Sequence, residues 1–438
     1  MGLRQQLASK SAILFAVRIT GAGTIFLAQA AIARLWGSVQ LGEYLIAIAT
    51  INLLAIMLPL GMQTVGSYFA AEYAAKGDGK GLRAFAWLSY GLILFPGLLI
   101  AYLAGQLIHF LGVTGEHLEH MWWPISIMAV GSSVFFVNAG ILVGLKRPFM
   151  GFFADTIFRP LLIVAALITS YAMAAPGENI RVLLWVLAIT YCVVIGVQTA
   201  ITLRQLSALP TNDNATAPDW RRWFYFALPW IIITLSTDFF FDADLLVLAN
   251  FLSKEQIAVF GVCTRIFVLA SYGITAVYAV TMPGMMEDAT KNDMDGLGAK
   301  IGDANLMATG LAVVLTLVIA IASPLVLSIF GKDFSGGYWP LVILCISLVV
   351  RSAFGPGPLI LSARNRPYAT LPAVGTGLAA LIVCNIVLVP MLGLVGAALS
   401  AVLSYFAGSF MVWRTTKRVT GTDVSLLPVM QKYLVRRT

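Results

Sequence analysis

The stretch Ser236-Thr-Asp-Phe-Phe-Phe-Asp-Ala-Asp244 puts three carboxylates into an otherwise apolar run. Arg18, Arg265 and Arg351 interrupt comparable runs, and Asp155 and Arg159 stand four residues apart in another. If the surroundings are a bilayer, each ionised side chain costs about 2.5–3.5 kcal/mol to insert unless it faces a cavity or a partner. A guanidinium gives bidentate donors to phosphate oxygens and keeps its charge at low dielectric. A carboxylate can take a sugar hydroxyl, a cation or a proton. Arg18, Arg265, Arg351, Asp238 and Asp242 are therefore the candidate substrate-binding residues. Asp238, Asp242 and Asp244 are the candidates for coupling Na+ or H+. On an unbroken helix Asp238 and Asp242 share a face, with Asp238 and Arg351 deep and Asp242 and Asp244 nearer the outer end. Asp155 and Arg159 read first as a structural i,i+4 ion pair.

The elements that carry these residues are set by composition. Of 438 residues 59% are hydrophobic and only 11% charged, against about 25% charged in soluble domains. A water-soluble globule is excluded. The net charge of +8 lies between apolar segments and forms no basic stripe, so nucleic acid is not the partner. Spans of roughly 20 apolar residues fall at 11–35, 43–70, 84–106, 121–144, 150–173, 181–205, 222–250, 256–285, 302–324, 338–362, 369–390 and 393–414. The fold class is an all-α polytopic membrane protein with about twelve transmembrane helices. The first stretch is too long for a signal core and is expected to stay as helix 1. Helices 2 and 8 are long and carry Pro59 and Pro283, where bends are expected. Gly355-Pro-Gly-Pro358 marks a break in helix 10. Cys192, Cys263, Cys345 and Cys384 lie in apolar segments and read as buried packing residues, and Trp122, Trp123, Trp220, Trp223 and Trp339 fall at span ends, where interfacial anchoring is the default.

With both termini in the cytoplasm, 20 of the 28 Lys and Arg fall on the inner side and 4 on the outer, the remainder lying within spans. That is a strong positive-inside bias. His109, His117 and His120, with Glu116 and Glu119, are zinc-type ligands in one outer loop, but an exposed polar loop is the preferred reading and no metal site is assigned. There is no ATPase signature, no Gly-rich phosphate loop and no large external loop for an active site, so neither catalytic residues nor cofactors are expected.

The chain also repeats itself. Ile141-Leu-Val-Gly-Leu-Lys-Arg-Pro-Phe149 returns as Ile360-Leu-Ser-Ala-Arg-Asn-Arg-Pro-Tyr368, and Leu35–Tyr44 returns as Phe251–Phe260. Lys76-Gly-Asp78 has its counterpart in Lys291-Asn-Asp293. Two six-helix bundles in a parallel internal repeat follow, with a substrate path in a central cleft. The boundaries are 1–206 for the first half, 207–220 for a cytoplasmic linker, 221–415 for the second half and 416–438 for a basic tail. Helices 1 and 7 are repeat equivalents and are both expected to line the cleft.

Twelve spans in two such halves, the element Arg34-Leu-Trp-Gly…Leu41-Gly-Glu-Tyr44 and the loop Gly144-Leu-Lys-Arg-Pro-Phe149 together look like a known group. Over about residues 5–415 the chain resembles the polysaccharide flippases of the multidrug/oligosaccharidyl-lipid/polysaccharide exporter superfamily. That resemblance implies a lipid-linked oligosaccharide, on a polyprenyl diphosphate, moved across the bacterial inner membrane by alternating access for O-antigen, exopolysaccharide or capsule synthesis. It implies that basic residues meet the diphosphate, Arg18 being the closest positional match and Arg265 and Arg351 weaker ones. Membrane lipids, and the polysaccharide polymerase and chain-length machinery, become candidate partners. A cation-coupled drug or metabolite exporter of the same superfamily is the alternative, for which the Asp238–Asp244 cluster is suited. A membrane glycan-polymerising enzyme is the third reading.

Overall fold

A computed structural model describes residues 3–103, 118–175, 177–210, 219–291, 294–364, 366–428 and 431, with the side chains of 3–18, 120, 283, 286, 289–291, 294, 295 and 363 outside that set. Its helices are α1 (Leu3–Trp36), α2 (Ser38–Met57), α3 (Met62–Lys76), α4 (Gly79–Tyr102), α5 (Trp122–Gly144), α6 (Pro148–Phe153), α7 (Arg159–Met173) and α8 (Asn179–Ser207). They continue as α9 (Trp220–Thr237), α10 (Phe240–Leu248), α11 (Lys254–Lys291), α12 (Met294–Ser328), α13 (Tyr338–Phe354), α14 (Gly357–Ala363) and α15 (Leu371–Thr420). No strand occurs among the described residues.

Ten segments of the described residues are long and apolar enough to cross a membrane. The last, Pro367–Thr420, has 54 residues and as one rod would be about 80 Å long, far more than a bilayer core of about 30 Å. It is a hairpin. Gly393 leaves the helical region with φ 55° and ψ −131°, and Ser404 Oγ donates to the Gly377 carbonyl at 2.6 Å across the two arms. Trp220–Leu248 makes one further crossing in two pieces, α9 and α10. Counting the hairpin as two, the described residues then make twelve crossings. Large side chains such as Leu98, Ile168, Val193 and Ile321 are exposed on these helices, an apolar surface that only lipid would tolerate. The chain is a multi-pass membrane protein.

Among the described residues four crossings are interrupted, each for a local reason. Helix 2 breaks around Pro59, where Leu60 and Gly61 take φ 50° and 85°. Gly61 there lies against the Ala227 carbonyl of α9, in space a Cβ would need. In helix 5, Pro160 has no N–H for the Thr156 carbonyl, and the chain widens into a π-turn over Ala154–Phe158, with the Arg159 amide bonded to the Ala154 carbonyl. Helix 7 breaks at Asp238–Phe239 after Ser236 and Thr237, residues whose side chains compete for backbone groups. Helix 10 breaks at Gly355-Pro356. At Pro283 there is no such interruption, since α11 runs on through that position.

The chain divides into two compact units, Met1–Asn250 and Phe251–Thr438. In the first, α10 packs on α2 and α9 on α3. Residues 211–218 of the expected linker lie outside the described residues.

The repeat is visible in the backbone of each unit. In the first, the Leu145 amide bonds the Ile141 carbonyl and the Arg147 amide the Leu142 carbonyl, at 3.0 and 2.8 Å. In the second, 219 residues later, Arg364 bonds Ile360 and Arg366 bonds Leu361, at 3.1 and 2.9 Å. Arg147 and Arg366 have nearly the same conformation, φ −119°, ψ 56° and φ −126°, ψ 51°, each preparing a proline at the next helix start. The other anchor behaves likewise. The Leu41 amide bonds Gly37, the Ile257 amide bonds Ser253, and both Leu41 and Ile257 are fully buried.

Candidate functional site

In the first unit the charged residues assemble around one amide. The π-turn and α7 present Asp155 and Arg159 on one side, and the guanidinium meets the carboxylate at 3.1 Å. Gly21 of α1 packs on the Thr156 carbonyl of that turn, where an added Cβ would sit 2.9 Å from the oxygen. Arg159 also reaches Asn52 Oδ1 of α2 at 3.4 Å. Asn52 in turn donates through Nδ2 to Asp242 Oδ2 at 2.9 Å. Asp242 occupies the first turn of α10, where the helix dipole favours a carboxylate.

The result is a relay from Asp242 through Asn52 and Arg159 to Asp155, linking helices 7, 2 and 5 of the unit. Asp242 and Asn52 are buried, Arg159 keeps 18% of its side chain exposed and Asp155 39%. One end is therefore sealed and the other reachable. Asn52 carries a donor and an acceptor on opposite sides of a planar group, so it can serve both ions at once. Such an arrangement can stabilise charge in a dry interior, or transmit a change of charge at one carboxylate to the other.

The sequence-derived sites fall as follows. Asp242 joins Asp155 and Arg159, a connection that sequence spacing did not supply. Asp238 does not share a helix with Asp242, because the break separates them. It caps the end of α9 and is exposed. Asp244 is fully buried in α10. Asp242 and Asp244 are thus buried inside the unit, while Asp238 is exposed on its surface. Arg351 is exposed in the last turn of α13, which stops at Phe354. Arg265 is half-buried in the middle of α11. Arg18 belongs to α1, but its side chain lies outside the described residues, as do His109 and His117 and the side chain of His120. Among the described residues no group of three His, Cys, Asp or Glu could hold a metal ion.

Two polar contacts were not anticipated. Glu72 at the end of α3 takes a bidentate grip from Arg222 of α9, at 3.0 and 2.7 Å, and a third contact from Lys76 at 2.6 Å. The hydrogen bonds from Arg222 hold the Glu72 carboxyl below its ordinary value. Next to it Trp223 is buried and donates to the Tyr73 hydroxyl at 2.9 Å, so it is a core residue and no interfacial anchor. Trp122 is buried too. Cys192, by contrast, is exposed on α8. The one signal for Asn52 in the sequence was an amide alone in an apolar run.

No family model and no curated protein matches the chain. Solved structures do. An inward-facing multidrug-resistance MATE transporter of the MOP superfamily aligns over 93% of this chain and 99% of its own, at 16% identity and TM-score 0.69. The lipid II flippase MurJ, in an inward closed conformation, aligns over 92% and 87%, at 14% identity and TM-score 0.75. A MOP-superfamily transporter from Pyrococcus furiosus, described as having a binding pocket of reverse polarity, aligns over 92% and 94%, at 15% identity and TM-score 0.63. At such identities the likeness is one of fold. The chain shares the fold of these three structures.

Proposed function

We propose that this chain is a flippase that carries a polyprenyl-diphosphate-linked oligosaccharide across the bacterial inner membrane by alternating access, for the synthesis of a cell-surface polysaccharide. The observation that carries the reading is the likeness, over nine-tenths of the chain, to a fold whose solved members include a lipid II flippase. Arg18, Arg265 and Arg351 suit that cargo, because arginine meets diphosphate oxygens with paired donors and stays charged away from water. Both termini lie in the cytoplasm on this reading, as the positive-inside bias favours. The polymerase and chain-length machinery of the same pathway are the partners it calls for.

The buried end of the relay favours a second reading. Asp242, fully in the interior and joined through Asn52 to Arg159, has the properties of a group that takes up a coupling cation or proton. A cation-coupled exporter would use it directly, and a cation-coupled flippase would use it as its drive.

Purified protein in liposomes decides between them. A fluorescent polyprenyl-diphosphate oligosaccharide, its leaflet read by a lectin outside the vesicle, should change sides only with protein present. The Arg265→Ala variant should slow this at least about tenfold, the loss of one charge-assisted contact of about 1.4 kcal/mol or more. Asp242→Asn should abolish stimulation by a Na+ or H+ gradient. If the lipid stays in place while a fluorescent organic cation is expelled under the same gradient, the flippase reading is wrong and the exporter reading holds.

A further inference from the structure

The segment that follows the last crossing folds back onto the break in helix 10. α15 ends at Gly421, with φ 72°, and the next residues are fixed by a carboxylate hub. Asp423 accepts from Trp413 Nε1 at 2.8 Å, Lys417 Nζ at 2.9 Å, and the Ser425 amide and hydroxyl at 3.1 and 2.7 Å. Burial acts to raise its pKa, but these donors outweigh it and bring the carboxyl down to about 2. The hub therefore stays ionised at any ordinary pH. Beyond it Val424 is completely buried, packed with Met285, Leu297, Ile301 and Ile360.

The main chain of this segment then supplies what the broken helix lacks. The Leu426 amide donates to the Ala353 carbonyl at 2.9 Å, one of the last carbonyls of α13, which have no partner within the helix. The Val424 carbonyl accepts from Asn305 Nδ2 at 2.6 Å and fills the space that a Cβ on Gly355 would need. Asn305 also accepts from the Tyr278 hydroxyl at 3.0 Å, which reaches the Ser352 carbonyl at 3.3 Å. Gly355 sits at φ 80° and ψ −177°, a conformation essentially limited to glycine. A straight helix 10 would need the 355 position to be helical and the Ala353 carbonyl to be free for the helix ladder. Both are blocked while residues 421–428 are in place.

We infer that residues 421–428 form a clasp that holds helix 10 bent at Gly355, so that the freedom of α13 and α14 to hinge about the break is controlled from the segment 421–428. Pro356 and Pro358 keep the helix interrupted in either case; release of the clasp frees the angle between α13 and α14, and its seating locks the bend.

Hydrogen exchange on the full-length protein in lipid nanodiscs tests this. Asp423→Ala removes the hub without touching α13 or α14. Exchange in peptides spanning 424–428 and 351–360 should accelerate together by about tenfold, the equivalent of about 1.4 kcal/mol. The hairpin between Gly377 and Ser404 should be unchanged and serves as the folding control. Faster exchange in 424–428 with 351–360 as in the wild type would overturn the inference, and so would no change in either. Where Asp423→Ala does not give a monodisperse protein, Ser425→Ala removes one hydrogen bond of the hub. It should give the same paired response at about threefold, and the same two failures would overturn it.

Discussion

Helices 4 and 10 occupy equivalent places in the two halves of the repeat, yet only one of them is whole. α5 runs unbroken from Trp122 to Gly144, while α13 stops at Phe354 and α14 resumes at Gly357. The loops that follow them share hydrogen bonds and dihedral angles, so the difference lies inside the helices. α5 is tied to its neighbours by side chains: Tyr90 of α4 donates to Asn138 at 2.6 Å, and Asn138 donates to Thr199 of α8 at 2.9 Å. At the corresponding level of helix 10, the ties run through Asn305 and the main chain of residues 424–426. A duplicated bundle can thus lose helical hydrogen bonds in one copy, provided that another segment supplies partners for the exposed backbone groups. The proline and glycines at 355–358 set where the cut falls, and the clasp makes it tolerable.

The sharpest way to break this contrast is Gly355→Ala. The backbone angle is foreign to alanine and the Cβ would meet the Val424 carbonyl. A loss of about 3 kcal/mol is expected, read as a fall of several degrees in the melting temperature of the detergent-solubilised protein. Gly91→Ala in α4, where nothing lies within 4 Å of the added atom, should stay within about 1 kcal/mol of the wild type. Equal melting of the two variants would mean that the bend does not depend on glycine.

Tyr90→Phe probes the intact counterpart. It removes the donor to buried Asn138 and should cost about 1–2 kcal/mol, with faster hydrogen exchange in α5 and none of the helix 10 response. A response in peptides 351–360 would show that the two ties are not separate devices.

The smallest effect is expected at Glu72, whose partner Arg222 is about a third exposed at 35%. Glu72→Gln should cost about 1 kcal/mol at pH 7. The folded carboxyl is held below its ordinary value, so its contribution is present above the unfolded value of about 4.3 and lost as the pH falls through the lowered folded one. Melting temperatures of wild type and Glu72→Gln should therefore converge on acidification. A gap that persists in acid would assign the effect to packing of Arg222 on Phe69 and Phe226.

Much of this architecture can be read without coordinates because it depends on neighbours in the chain. Apolar run length sets the crossings, Gly355-Pro356 sets the cut in helix 10, and the loop copies at 141–149 and 360–368 betray the repeat. The Asp155–Arg159 pair needs only one turn of helix, and it is there. Helix 7 shows where such reading fails. Asp238 and Asp242 share a face only if the helix is continuous, and the break at Asp238–Phe239 exposes the first and buries the second. Pro283 shows the opposite limit, since α11 runs on through it without the interruption seen at Pro59. Trp223 sits at a span end, as an interfacial anchor would, yet its ring is buried beside Tyr73.

By itself the sequence determined that the chain crosses a membrane many times in two related halves, and which residues carry charge into the apolar interior. Only the tertiary structure decided the partners: Asn52 joining Asp242 across 190 residues, Arg222 gripping Glu72 across 150, and Asn305 catching Val424 across 119. The reason is physical. Helix length and local ion pairs follow from spacing along one helix, whereas a buried polar group is satisfied by whichever donor or acceptor the packing of separate helices brings within hydrogen-bonding distance.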